Sequence, residues 1–235
     1  MPSNADIAVI WSWKQRRLIE RQIETGKHIL VLERGFLQPR NSWISLSWDG
    51  FNGRGSFPGA ADGGARWNLH FGPMLKPWRQ RRGGNALLIG QVPGDAALFG
   101  LDIITWTQEM SAKLIALGYR VTYRPHPLSV TPCPNGANLS IGDLETDLAL
   151  ADFVVTYNST TAVESILAGV PTIVMDIGSV AYPMASHSLE EPLRYPDRTA
   201  WCHDLAWRQW SLKELADGSA WQHAIRQLGD VSPDA

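Results

Sequence analysis

The stretch Asp152 to Asp176 reads D-F-V-V-T-Y-N-S-T-T-A-V-E-S-I-L-A-G-V-P-T-I-V-M-D. An apolar run ends at Tyr157-Asn158, and Ser159 or Thr160 stands where a helix N-cap is needed. The free N–H groups and partial positive charge of such a helix start suit a phosphate or pyrophosphate. Glu164 follows Thr160 by one turn and lies on the same helix face, where its carboxylate can accept hydrogen bonds from a ribose diol. A capped helix with an ordinary acid in its first turn has the same pattern, and these residues alone leave both readings open.

Two further segments carry similar chemistry. Arg124-Pro125-His126-Pro127 follows the run Tyr119 to Tyr123, and two prolines stop a strand and fix the backbone around the histidine. His126 then falls on the same rim as Asn158 and Ser159, and Arg124 brings a charge suited to phosphate. Gly90-Gln91-Val92-Pro93-Gly94-Asp95 ends another apolar run, and a turn of this composition lets a ligand approach the backbone. Gly90 and Gln91 are therefore candidate ligand contacts. The G-x-G-x-x-G fingerprint and the P-loop motif are both absent. The six histidines and two cysteines show no ligand spacing and there is no D-x-D pair, so no metal is expected.

The elements that must position these groups follow from periodicity. Ile7–Trp11 predicts a strand, Lys14–Thr25 a helix closed by Gly26, and His28–Leu32 a buried strand. From Glu33 to Arg82 no period persists, and eight glycines mix with tryptophans, of which Trp43, Trp48 and Trp67 are expected to face a ligand. Arg79, Arg81 and Arg82 with Gly83-Gly84 mark a hinge. Strands at 86–90, 119–123, 153–156 and 171–175 then alternate with helices at 103–117, 144–151 and 160–168, and short helices at 211–216 and 219–228 close the chain. This order predicts an α/β fold, a Rossmann-like parallel sheet with flanking helices. Three segments are expected: a small lobe over 1–84, a nucleotide-binding lobe over 85–188, and helices over 189–235 packing back on both.

Composition bounds the rest. With 44% hydrophobic and 19% charged residues, the 235-residue chain is no disordered tail. A net charge of −2 excludes a broad cationic surface for nucleic acid. Cys133 and Cys202 make no disulfide framework. With no signal-peptide layout and no apolar run near 18 residues, a cytoplasmic protein without membrane insertion is expected.

The strand, R-P-H-P and L-E-T-D-L-A-L-A-D-F-V-V-T-Y-N-S-T-T-A-V-E-S-I-L-A-G-V-P-T-I-V resemble, in that order, the donor-binding lobe of GT-B glycosyltransferases. The resemblance spans about Leu87 to Ala185 and is strongest to capsule-polysaccharide biosynthesis and export-linked transferases, with teichoic-acid-type polymerases more distant. It implies a GT-B-like fold with a reduced amino-terminal lobe and a nucleotide-sugar as co-substrate, with no resident cofactor. A UDP-sugar is the favoured donor. Asn158, Ser159 and Thr160 would hold the pyrophosphate, Glu164 the ribose, and His126 would lie beside the phosphates. The segments L-E-R-G-F-L-Q-P-R-N-S-W-I-S-L-S-W-D-G-F-N-G-R-G and W-R-Q-W-S-L-K-E-L-A-D-G-S-A-W are similar instead to transferases encoded by bacteriophages. That likeness implies a DNA-modification role, with a hydroxymethylated base of phage DNA as acceptor beside a surface glycan, in the host cytoplasm.

An inverting transfer needs a carboxylate or histidine within reach of the acceptor hydroxyl. Glu33, Asp49 and Asp95 are the carboxylates to test, with His126. A small amino-terminal lobe keeps two alternatives open: a non-catalytic nucleotide- or glycan-binding module, and a sugar-nucleotide epimerase. It also allows a homodimer in which a second subunit completes the cleft.

Overall fold

Short apolar runs alternate with amphipathic segments along the computed structural model, which describes residues 5–229. In chain order the elements are β1 (Ile7–Trp11), α1 (Arg16–Glu24), β2 (His28–Arg34), β3 (Trp43–Trp48), α2 (Ala65–His70) and β4 (Asn85–Ile89). Then come α3 (Ile103–Ala116), β5 (Arg120–Arg124), β6 (Asn138–Leu139), α4 (Leu144–Leu150), β7 (Phe153–Thr156), α5 (Thr161–Leu167) and β8 (Thr172–Val174). The chain closes with α6 (Thr199–Trp207), β9 (Gln209–Ser211), α7 (Leu212–Ala216) and α8 (Ser219–Gly229).

Two compact units form, one from residues up to 72 together with those from 197 on, the other from residues 73–196. The boundary expected at 84/85 thus falls at 72/73, because residues 76–79 dock on the second unit. Lys76 N–H donates to the Leu167 carbonyl at 2.8 Å, and Arg79 N–H to that of Gly169 at 2.8 Å. Gly169 has φ +77°, and a Cβ there would stand 2.0 Å from the Pro77 carbonyl oxygen, so only glycine admits this strap.

The second unit is built on a five-stranded, all-parallel sheet of order β6-β5-β4-β7-β8. It is the Rossmann-like layer expected from the alternation. β7 and β8 are buried at every position, as a sheet covered on both faces requires. Leu88, Val155 and Ile173 pack with Met110 and Leu114 of α3 on one face, while Leu87, Ile89 and Val154 pack with Leu148 of α4 on the other. Each such side chain contributes about 1.5–3 kcal/mol on burial. Asp102 starts α3 by accepting from the N–H groups of Ile104 and Thr105, and Asp143 starts α4 through Thr146 N–H. Parallel strands bring all their carboxyl ends to one edge, and the loops leaving that edge carry the donor-side candidates.

The first unit holds a four-stranded sheet, β1-β2-β3-β9, in which only β1 and β2 run parallel. The irregular stretch expected from Glu33 to Arg82 contains β3, whose sequence W-I-S-L-S-W alternates in period two. Its serines are buried as well: Ser47 Oγ donates to the Gly50 carbonyl at 2.7 Å, within a loop folded over the strand. β9 comes from far along the chain, and Gln209 Oε1 accepts from the N–H groups of Phe36 (2.7 Å) and Leu37 (3.0 Å). Trp43, Trp48 and Trp67 do not face a ligand. All three are buried, Trp43 against His70 and Phe71, Trp67 against Phe71, and Trp48 with its indole N–H on the Ala224 carbonyl. Among the described residues, no helix is long and apolar enough to cross a membrane.

Candidate active site

At the carboxyl edge of the second unit, Asn158 joins three strand ends. Gln91 Nε2 donates to Asn158 Oδ1 at 2.8 Å, and Asn158 N–H donates to Gln91 Oε1 at 3.1 Å. Asn158 Nδ2 donates to the Ala97 carbonyl (2.8 Å) and to Asp176 Oδ1 (2.9 Å). Both amides are buried, so each bond forms away from water, where an unmade one is costly. Asp176, two residues past β8, also accepts from Gly178 N–H at 2.9 Å. The sequence pattern T-I-V-M-D, an acid ending a strand, was the signal available for it. Gln91 and Asn158 are thus the frame of the edge, with their amide groups spent on one another and, for Asn158, on Ala97 and Asp176.

The turn into α5 carries the groups a ligand can meet. Ser159 N–H donates to Thr156 Oγ1 at 3.2 Å, and Ser159 Oγ accepts from Thr161 N–H at 3.2 Å. Ser159 therefore caps by side chain, while the hydroxyl of Thr160 makes no capping bond. Glu164 is half-buried in the first turn of a helix only seven residues long.

Beyond the end of β5, two strands from β7, Leu128 N–H donates to His126 Nδ1 at 3.1 Å, which leaves the proton on Nε2 of the neutral ring. Arg124 does not present an uncommitted charge to phosphate. Its Nη1 donates to Asp147 Oδ2 (2.7 Å), Ser140 Oγ (3.1 Å) and the Gly142 carbonyl (2.8 Å). Asp147 is buried, and an ion pair of this kind ties β5 to α4. Gly90 is glycine for a packing reason. A Cβ there would stand 2.4 Å from the Tyr123 hydroxyl, which is hydrogen-bonded to Thr131 Oγ1 at 2.7 Å. Asp95 is exposed and caps the turn 96–98 through Ala97 N–H at 2.9 Å.

In the first unit, Glu33 lies half-buried near the carboxyl end of β2, opposite Ser45 of β3. Asp49 sits at the other end. Its Oδ1 accepts from Ile29 N–H at 2.8 Å and its Oδ2 from His28 Nδ1 at 2.9 Å. His28 and Glu33 are five residues apart on one strand, roughly 16 Å at the usual rise. Asp49 is therefore a turn acid orienting His28 at the amino end, and it cannot share a site with Glu33. Among the described residues no three His, Cys, Asp or Glu side chains cluster so as to hold an ion.

No protein-family model matches this sequence, and neither does any curated protein. Solved structures do. The chain is similar to KpsC, the β-Kdo 2,7 transferase of Thermosulfurimonas dismutans, with a TM-score of 0.63 and 15% identity, over 96% of this chain and 85% of that one. It is also similar to the β-Kdo 2,4 transferase of KpsC from the same organism, with a TM-score of 0.58 and 14% identity, over 92% and 87% of the two chains. At such identities the likeness is one of fold, and it extends over both units.

Proposed function

We propose that the protein is a glycosyltransferase that moves a sugar from a nucleotide-sugar donor to a hydroxyl of a glycan. The observation that carries this reading is the fold shared with a Kdo transferase across 96% of the chain. The polar carboxyl edge of the parallel sheet, where α/β folds bind nucleotides, supports it. In this reading the donor phosphates meet the Ser159–Thr161 turn, Glu164 accepts from the ribose diol, and the Nε2 proton of His126 serves the departing phosphate. Arg124 is a positioning residue, holding the Pro125-His126 turn through Asp147. Charge developing on the leaving nucleotide is met by fixed N–H groups and His126, without a metal.

Asp95 is the first candidate base, since it shares the edge with the donor residues and its second oxygen makes no hydrogen bond among the described residues; Glu33 is the second. Kdo joins the UDP-sugars as a donor sugar to try, on the strength of the neighbours' names. A phage origin and a hydroxymethylated DNA base as acceptor rest on the sequence segments alone, a homodimer rests on the small size of the amino-terminal lobe, and a glycan acceptor is preferred for the same neighbours.

Nucleotide release is the test. The protein is incubated with UDP-, GDP-, CMP-, CDP- and dTDP-sugars and a mixture of glycan acceptors, with chelator and then with magnesium. Release with one donor, dependent on acceptor and reduced roughly 10²–10⁴-fold in His126→Ala, is the expected result. Donor conversion without any acceptor would assign an epimerase, and binding without turnover would assign a binding module.

A further inference from the structure

Among the described residues β1 pairs with β2 alone, at the edge of the sheet β1-β2-β3-β9. Its register runs unbroken from Ile7 opposite His28 to Trp11 opposite Leu32. The Asp6 carbonyl accepts from His28 N–H at 3.1 Å, and Ser12 N–H donates to the Leu32 carbonyl at 2.9 Å. The even-numbered residues thus turn their backbone groups toward β2, and Ile7, Val9 and Trp11 point theirs out of the edge. Open edges are commonly guarded by lysine, proline or a bulge, and the run I-A-V-I-W carries none of these.

The side chains of the same three residues share one face of the sheet. Val9 aligns with Leu30, which aligns in turn with Trp48 of β3, and Trp11 aligns with Leu32. Helix α8 covers that face over β2 and β3, where Ala220 and Ala224 pack with Leu30 and Trp48. The outer part of β1 is left uncovered: Val9 is 58% and Trp11 52% exposed, while Ala8 and Ile10 on the opposite face are buried. Outward backbone groups and an exposed apolar strip therefore coincide on one strand, and both are satisfied by the addition of another strand.

We infer that the added strand is β1 of a second copy of this chain, paired antiparallel about a two-fold axis through Val9. In that arrangement Val9 faces Val9 of the other copy, and Ile7 faces Trp11. These are the residues whose N–H and C=O groups point outward, so each pair exchanges both bonds of an antiparallel ladder, and register and symmetry agree. Charge selects the direction. Asp6, with its side chain 97% exposed, precedes β1, and the exposed Lys14 follows it. Antiparallel pairing brings Asp6 of each copy toward Lys14 of the other, whereas parallel pairing would set like charges side by side. The inference stands apart from the donor reading, since β1 belongs to the first unit and carries none of the donor residues.

Sedimentation velocity of the full chain is the test. Wild type is expected to pass from monomer to dimer as its concentration rises. Val9→Lys and Val9→Glu each set two like charges across the axis and stay monomeric, with the circular dichroism of wild type because the side chain is exposed. An equimolar mixture of the two variants returns to dimer, since lysine then faces glutamate. Val9→Cys supplies a second readout that needs no charge. A hydrogen-bonded pair holds its Cα atoms about 5.5 Å apart, within disulfide range, so mild oxidation should cross-link this variant. Trp11→Cys, which faces Ile7 and not itself, should stay uncrosslinked. A wild type that is monomeric at every concentration overturns the inference. So does a dimer that survives Val9→Lys, or a Trp11→Cys variant that cross-links as readily as Val9→Cys.

Discussion

Gln91 and Asn158 close a ring of two hydrogen bonds, Gln91 Nε2 to Asn158 Oδ1 at 2.8 Å and Asn158 N–H to Gln91 Oε1 at 3.1 Å, and so lock the exits of β4 and β7 together. The second face of the Asn158 amide reaches Ala97 and Asp176, so one side chain sets the spacing of three loops. Asn158→Ala should cost about 1–3 kcal/mol for each buried partner it leaves unsatisfied. Asn158→Asp should be worse, because it removes the donor and sets a carboxylate against Asp176 at 2.9 Å. Adding Asp176→Asn should recover part of that loss. Urea midpoints for the single and double variants check this.

Gly90→Ala tests why that position is glycine. The new methyl meets the rigid end of the Tyr123 ring at 2.4 Å, and overpacking of this kind typically costs about 1–3 kcal/mol. Removing the hydroxyl with Tyr123→Phe should make the double variant more stable than the sum of the two singles. Strict additivity in thermal denaturation would show that Tyr123 is not the obstacle.

Arg66 and Glu214 give the first unit a dependence on acid. Arg66 is bonded to Glu214 and to the carbonyls of Ala206 and Gln209, with its guanidinium 4.6 Å from the Trp210 ring and 5.0 Å from that of Trp207. Burial alone would raise the Glu214 carboxyl, but the hydrogen bonds from Arg66 and Ser211 overcome it and hold the group at about 2. A depressed carboxyl stabilises the fold above its ordinary value of 4.5 and loses that contribution as pH falls toward about 2. Stability should therefore drop between those limits in wild type and more gently in Glu214→Gln. Arg66→Ala, which takes the partner from a half-buried carboxylate, should cost about 1–3 kcal/mol at neutral pH.

The strap over residues 76–79 predicts a proteolytic signature. Gly169→Ala drives a methyl against the Pro77 carbonyl and should break the bonds from Lys76 to Leu167 and from Arg79 to Gly169. Trypsin should then cut at Arg79, Arg81 or Arg82 faster than in wild type. Equal cutting rates would mean that the strap tolerates the methyl.

Much of the second unit could be read from the chain because its signals are local. β4 and β7 are short apolar runs, β5 alternates, and α3 and α5 are helical segments closed by Gly118 and Gly169, so these five elements are visible in the sequence within a residue or two. β3 was hidden although W-I-S-L-S-W alternates, since its serines are buried by a loop and by partners that no window contains. β9 pairs with β3 across more than 160 residues, a relation that no local period records. At the site, residue type and place on the rim were legible for Gln91, His126, Asn158, Ser159 and Glu164. Their hydrogen-bond partners were not. Arg124 was expected to meet phosphate, and Asp147, which engages it, lies 23 residues away. Residue type alone makes Asp49 a candidate base, and only the register of β2 against β3 puts it at the far end of the strand.

The central claim, a nucleotide-sugar pocket at the carboxyl edge of the second unit, is tested most directly by thermal shift. UDP-, GDP-, CMP-, CDP- and dTDP-sugars are added first without metal and then with magnesium, to wild type and to Glu164→Ala. A ligand at 100 times its dissociation constant stabilises by about 2.7 kcal/mol, which for a chain of this size is a rise of roughly 5–10 °C. A rise of that order with one nucleotide class, independent of metal and absent in Glu164→Ala, is the predicted result. No rise with any of them, at concentrations that saturate ordinary transferases, would contradict it.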